Sequence, residues 1–210
     1  MGEIKVVPKP DNISWEQICD LLHRSHLNNA RFGFVMKTAN LTPDFLERKS
    51  RDGITFVALD GDRLVGTGSV CKKKSTGHWY DKGKQVHYFK FDAVDPDFQG
   101  RGIHKMLLQV REQWSVDDGS ELIIAGTHER NFRLAGAVMK RGFVRVGYLT
   151  SRTADYYSDV FALWPQGCPY SKFHCRFHYI VSRILVRLRY KPGKKPRFPL
   201  VESVAGKFHR

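Results

Sequence analysis

The residues with the clearest chemical use are Gln99, Gly100, Arg101, Gly102 and Lys105. They stand between two segments of different period. Before them, Phe89, Phe91 and Ala93 alternate with Lys90, Asp92 and Val94, as in a β-strand. After them, Ile103, Met106, Leu107, Val110 and Trp114 recur at helical spacing. Asp95-Pro96-Asp97 stops the strand, because proline cannot donate to a ladder. A strand, a glycine turn and a helix start together aim unpaired main-chain N–H groups at one point, and the helix dipole reinforces them. Such a nest suits a phosphate or diphosphate, with Arg101 and Lys105 adding charge at its rim. The two glycines let a ligand reach the backbone with no Cβ in the way. The plainer reading is a strand-to-helix turn whose glycines serve sterics alone. The stretch is neither a P-loop, lacking Gly-Lys-Ser/Thr, nor a dinucleotide fingerprint, lacking the third glycine.

VDPDFQGRGIHKMLL resembles the acyl-CoA diphosphate loop of the GNAT superfamily of N-acyltransferases, Gln/Arg-x-x-Gly-x-Gly/Ala. Gln99 and Gly102 match, and His104 stands where Gly or Ala is usual. Asn131 followed by Gly142-Phe143 resembles a second family stretch, Asn-x-x-Ala…Tyr-x-x-x-Gly-Phe. Here Leu134 replaces the alanine, and Val138 replaces the tyrosine that reprotonates the CoA thiolate in many members. The resemblance covers roughly residues 3–165. It implies an α/β (α+β) fold with a mixed, mostly antiparallel twisted sheet flanked by helices, and acetyl-CoA as cosubstrate. It also implies CoA contacts from Ala93, Val94, Gln99, Gly100, Arg101, Gly102, Ile103, His104, Lys105 and Asn131.

Acyl transfer to an amine sets its own requirements. At neutral pH an amine with a pKa near ~10 is ammonium and must lose a proton before it attacks. The carbonyl oxygen gains charge and needs an N–H donor, which the resemblance places at Val94 or its neighbour Ala93. Asp92, just before that point, is the first candidate base; a solvated or N–H-bonded strand-end aspartate is an equal reading. Glu129, with His128, is the second, and a helix-entry carboxylate is its plainer account. Tyr148, Tyr156 and Tyr157 are available to replace the missing acid, or to pack in strands. Solvent can also serve, since a thiol has a pKa near ~8.5. His87 and Tyr88 read as sheet residues.

These residues need a scaffold, and the rest of the chain supplies one. Strands are expected at 3–7, 54–59, 64–70, 121–125, 143–149 and 159–164, with Asp60-Gly61-Asp62 as a hairpin turn. Ser14 and Gln17 form a capping box, Thr42-Pro43 opens a second helix, and 131–140 is helical as well, stopped at Gly142. Residues 71–84, polar but carrying His78, Trp79 and Tyr80, read as a surface loop.

With 210 residues, 41% apolar and 27% charged, the chain is long enough for a core and is not of disordered composition. It has no apolar run approaching the ~20 residues of a membrane span. MGEIKVVPKP lacks the apolar core of a secretory signal, and Cys19, Cys71, Cys168 and Cys175 show no short-spaced framework. The expectation is a cytoplasmic protein, with a peripheral place at the inner face of the membrane left open.

The net charge of +14 is uneven: residues 166–210 hold eleven Lys/Arg against Glu202, or +10, and residues 1–165 hold +4. The expected division is an acetyltransferase domain at 1–165 and a basic extension at 166–210. In the extension Phe173, Phe177, Ile180, Val181, Ile184, Leu185 and Leu188 form an apolar stripe interleaved with arginines. A helix docked on the domain is the favoured reading, and peripheral contact with an anionic membrane through residues 171–197 is the other. Nucleic acid is disfavoured for want of a binding motif. Cys168, His174, Cys175 and His178 fit no closed metal-site spacing, so no metal is expected.

The function read from these features is transfer of acetyl from acetyl-CoA to a primary amine of a small molecule, amino sugar or peptide. A non-catalytic CoA-binding or partner-binding module is the alternative, and a homodimer stays open.

Overall fold

Asp60 and Arg63 pair across a turn in which Gly61 takes φ 58°, closing a hairpin between β2 (Gly53–Asp60) and β3 (Arg63–Lys74). This is a computed structural model of the chain, which describes residues 3–34, 36–150 and 156–190. Two compact units are present, one of Met1–Lys73 and His87–Ser120, the other of Lys74–Val86 and Glu121–Arg210.

In the first unit the strands run in the order β1 (Ile4–Pro8), β2, β3, β4 (Gln85–Val94), with β1–β2 and β2–β3 antiparallel. Period-two alternation sorts β2 onto two faces. Val57 packs with Ile18, Leu21 and Leu22 of α1 (Trp15–Leu27) and Leu46 of α2 (Pro43–Ser50). Phe56 and Ala58 pack with Ile103 and Leu107 of α3 (Ile103–Asp117). Helices therefore cover both faces of β2, which is why residues 54–59 read as a nearly continuous apolar run. The Ser14–Gln17 capping box and the Thr42-Pro43 start form as expected. Short 3-10 turns at Asn28–Phe32, Lys37–Asn40 and Pro96–Phe98 were not evident from periodicity.

In the second unit β5 (Leu122–His128), β7 (Tyr157–Leu163) and β6 (Val144–Thr150) lie in that order and pair antiparallel. α4 (Phe132–Lys140) packs on β5, and α5 (Lys172–Arg189) packs on β6. Gly142, at φ 92°, stops α4, and the Phe143 N–H returns to the Val138 carbonyl at 3.2 Å. Strands flanked by helices, mostly antiparallel, give the α/β class anticipated from the sequence.

The stretch 71–84 departs from its reading as a loop. β3 continues to Lys74, and the remainder is ordered around Asp81, which is buried and accepts from the Thr76 N–H (3.0 Å) and the Ser75 hydroxyl (3.2 Å). Trp79 stacks on His178 at 4.5 Å and meets the His174 ring edge-on at 5.0 Å, so these histidines serve aromatic packing. The basic residues Lys191, Lys194, Lys195 and Arg197 of the expected membrane segment lie outside the described residues.

Candidate functional site

β4 carries Asp92 into place by breaking its own alternation. Phe91 has φ 56°, the one positive value among the described non-glycine residues. A bulky residue rarely adopts it, and here burial of the ring against α1 and α2 holds it. The kink moves Phe91 and Ala93 to the α1/α2 face, whereas Phe89 lies under the Arg111 guanidinium at 4.5 Å. The uniform alternation expected over 89–94 is corrected accordingly: Phe89 and Phe91 face opposite ways.

Asp92 thereby meets Arg111 of α3. Both guanidinium ends donate to its carboxylate, one of them at 3.1 Å to Oδ2, while Arg111 Nε donates to the Leu107 carbonyl at 3.1 Å. Arg111 is fully buried and Asp92 is 19% exposed. Gly68 on β3 makes room, since a Cβ there would lie 2.8 Å from the Arg111 Cζ. His104 turns its Nε2 to 3.6 Å from Asp92 Oδ1. Burial works to raise the Asp92 pKa, but the charge of Arg111 and the His104 contact outweigh it and hold it at about 2. The carboxylate is thus ionised and committed to Arg111, which weakens it as a proton acceptor. On α1, His26 is buried and lies near the Asp92 backbone, and desolvation lowers its pKa to about 4, keeping it neutral.

The loop beyond β4 is set by Asp95, whose Oδ1 accepts from the Asp97 N–H at 3.1 Å and whose Oδ2 lies 3.4 Å from both Arg24 and Arg63. Gln99 ends the Pro96–Phe98 turn. Gly100 and Gly102 take φ 82° and 79°, so glycine is required there for conformation as well as access. A Cβ on either would meet nothing within 4 Å, so the loop faces open space. Gly102 is the N-cap of α3 and no side chain caps the helix, leaving its first-turn amides to a ligand or solvent. Ile103 is buried in the core beside β2, Lys105 is exposed, and Arg101 lies 4.5 Å over the Phe98 ring while donating to the Asp97 carbonyl at 3.3 Å. Ala93 is buried and Val94 is half-buried at the end of β4.

In the second unit Glu129 follows β5, its N–H donating to the Tyr157 carbonyl at 3.0 Å. Tyr148 of β6 donates its hydroxyl to Glu129 Oε2 at 2.5 Å, and Arg187 of α5 reaches both, at 2.7 Å to Glu129 and 3.1 Å to the Tyr148 oxygen. Burial pushes the Glu129 pKa up, but the bonds from Tyr148 and Arg187 prevail and lower it. Burial and the Glu129 acceptor push the Tyr148 phenol well up, so it gives up its proton poorly. Tyr157 stacks on Tyr148 at 5.3 Å, and Tyr156 lies beside His128 at 4.8 Å. His128 Nδ1 accepts from the Arg130 N–H at 3.0 Å. Asn131 caps α4: its Oδ1 accepts from Leu134 at 3.2 Å and its Nδ2 donates to Thr127 at 3.1 Å. Val138, in the family's tyrosine position, is wholly buried.

Arg111, His26 and Arg187 were not singled out from the sequence. A signal existed for Arg111, which stands four residues from Leu107 and from Ser115 on the buried side of α3, where a charge needs a partner. Arg187 read only as one of many tail arginines.

The model of the Acetyltransferase (GNAT) family matches residues 15–143, and the chain belongs to that family. Among solved structures it is similar to the ribosomal-protein-S18-alanine N-acetyltransferase from Escherichia coli, at 12% identity and TM-score 0.58, covering 77% of this chain and 94% of that one. A Bacillus subtilis acetyltransferase in complex with CoA matches at 15% identity and TM-score 0.58, over 77% and 99%. A GNAT family acetyltransferase from Elizabethkingia anophelis with acetyl-CoA bound matches at 13% identity and TM-score 0.56, over 77% and 97%. At these identities the likeness is one of fold. Comparison with curated proteins gives no sequence match.

Proposed function

We propose that this chain transfers an acetyl group from acetyl-CoA to a primary amine of a small molecule, amino sugar or peptide by direct attack. The observation that carries the reading is the uncapped start of α3 behind two left-handed glycines, with Lys105 exposed beside it. The diphosphate of CoA fits that chemistry: main-chain amides, a helix dipole and a lysine favour a doubly charged ligand. The amine nitrogen attacks the thioester carbonyl, the oxyanion takes a hydrogen bond from the amide of Val94 or Ala93, and the C–S bond breaks to release thiolate. Solvent protonates the thiolate, for Val138 offers no hydroxyl and the Tyr148 phenol holds its proton. Asp92 is neutralised by a buried guanidinium and Glu129 is engaged by both Tyr148 and Arg187, so the ammonium proton passes to solvent before attack. Residues 1–165 form the acyltransferase part of this reading, and 166–210 the extension.

Thiol release from acetyl-CoA over a panel of small amines, amino sugars and peptides, with the product identified by mass spectrometry, tests it. Binding of acetyl-CoA by calorimetry without turnover of any panel member supports the second reading, a non-catalytic CoA-binding module, which the buried Val138 favours. Absence of acetyl-CoA binding sinks both.

A further inference from the structure

Helix α5 is held to its unit by one face. Cys175 and Tyr179 are buried, and the Tyr179 hydroxyl donates to Asp159 Oδ1 at 2.8 Å. The apolar stripe, which the sequence reading placed toward the core, points elsewhere. Phe173, Phe177, Ile180, Ile184 and Leu188 are 44 to 78% exposed among the described residues. Their spacing of four, three, four and four puts them on one line along the helix, about 22 Å long at 1.5 Å per residue. Large apolar side chains aligned and exposed in this way mark an interaction surface.

Charge identifies the occupant. α5 holds Lys172, Arg176, Arg183, Arg187 and Arg189 and no acidic residue. At 100° per residue, Lys172, Arg176 and Arg183 form a row along one edge of the stripe, opposite in charge to phospholipid headgroups, in line with Arg187, whose charge is already paired with Glu129. The sequence that follows, residues 191–210, adds six more Lys/Arg against one Glu. A second copy of this chain would bring an identical basic row to the contact, where like charges oppose pairing. No described helix is long and apolar enough to cross a membrane, so the helix would lie in the plane of the surface. We propose that α5 docks the protein on an anionic phospholipid bilayer, its apolar stripe entering the headgroup boundary and its basic row contacting lipid phosphates.

The full-length chain is mixed with vesicles of phosphatidylcholine alone or phosphatidylcholine with phosphatidylserine, and bound protein is measured by sedimentation at rising salt. Binding is expected to the anionic vesicles, to weaken with salt, and to be marginal on phosphatidylcholine alone. Lys172→Gln with Arg176→Gln should lower partitioning roughly 30-fold, about fivefold for each charge lost. Phe177→Glu with Ile184→Glu should reduce it at least roughly tenfold. Both positions are exposed, so melting temperature and acetyl-CoA affinity should stay as in the parent chain, which separates lost docking from misfolding. The proposal is overturned if the parent chain does not sediment with anionic vesicles, as when its own residues cover the face. It is also overturned if the Phe177/Ile184 variant binds as well as the parent. A dimer in light scattering that this variant dissociates would overturn it too, by making the stripe a contact between copies.

Discussion

Replacing Asp92 by asparagine separates a structural carboxylate from a catalytic one. The change removes the negative partner of Arg111, which is fully buried and receives its compensation from that carboxylate. Breaking one partner of a buried pair costs about 3–5 kcal/mol, and the asparagine amide oxygen can still accept one bond, so about 3 kcal/mol is expected. For a chain of this size that lowers the melting temperature by roughly 6–12 °C. A double variant, Asp92→Asn with Arg111→Met, leaves no uncompensated charge and should recover part of the loss, a coupling visible in a double-mutant cycle. Turnover of the folded fraction should fall less than about tenfold, since a carboxylate held at a pKa of about 2 is a weak acceptor for an ammonium proton. The assay is urea unfolding beside kcat and KM for the amine found in the panel. An Asp92→Asn variant that melts like the parent but loses turnover a hundredfold would refute this reasoning and restore Asp92 as the base.

Arg187→Met removes two of the influences that lower the Glu129 pKa, so that pKa should rise; an unchanged Glu129 titration by carboxyl NMR would contradict the three-residue arrangement. Lys105→Glu, at an exposed position, should raise the Kd for acetyl-CoA roughly tenfold with no change in melting temperature, read by calorimetry. Acid should destabilise the fold in two stages. His26 binds its proton in the unfolded chain near 6.5 but in the folded chain only at about 4, so its contribution is present above pH 6.5 and is lost as pH falls from there toward 4. Asp92 is likewise depressed, from 3.8 to about 2, so its contribution is lost over that lower interval. His26→Asn should flatten the first stage in denaturant titrations at different pH, and an unchanged slope between pH 6.5 and 4 would count against it.

Chain-local chemistry was legible without coordinates. The Ser14 and Thr42 caps, the Gly61 turn, the Gly142 stop and the uncapped, glycine-led start of α3 depend on neighbours within a few residues, so their residue types declare them. The family follows from the same local patterns. Long-range partners could not be read in this way. Asp92 looked free to take a proton until folding set Arg111, nineteen positions later, against it, in space that Gly68 leaves open. Glu129, Tyr148 and Arg187 meet because two strands and a terminal helix converge, although no spacing in the chain links them. The direction of the α5 stripe was decided by tertiary structure as well. Periodicity fixes which residues share a face of a helix, but Cys175 and Tyr179 found partners on their own unit and so turned the larger apolar face outward.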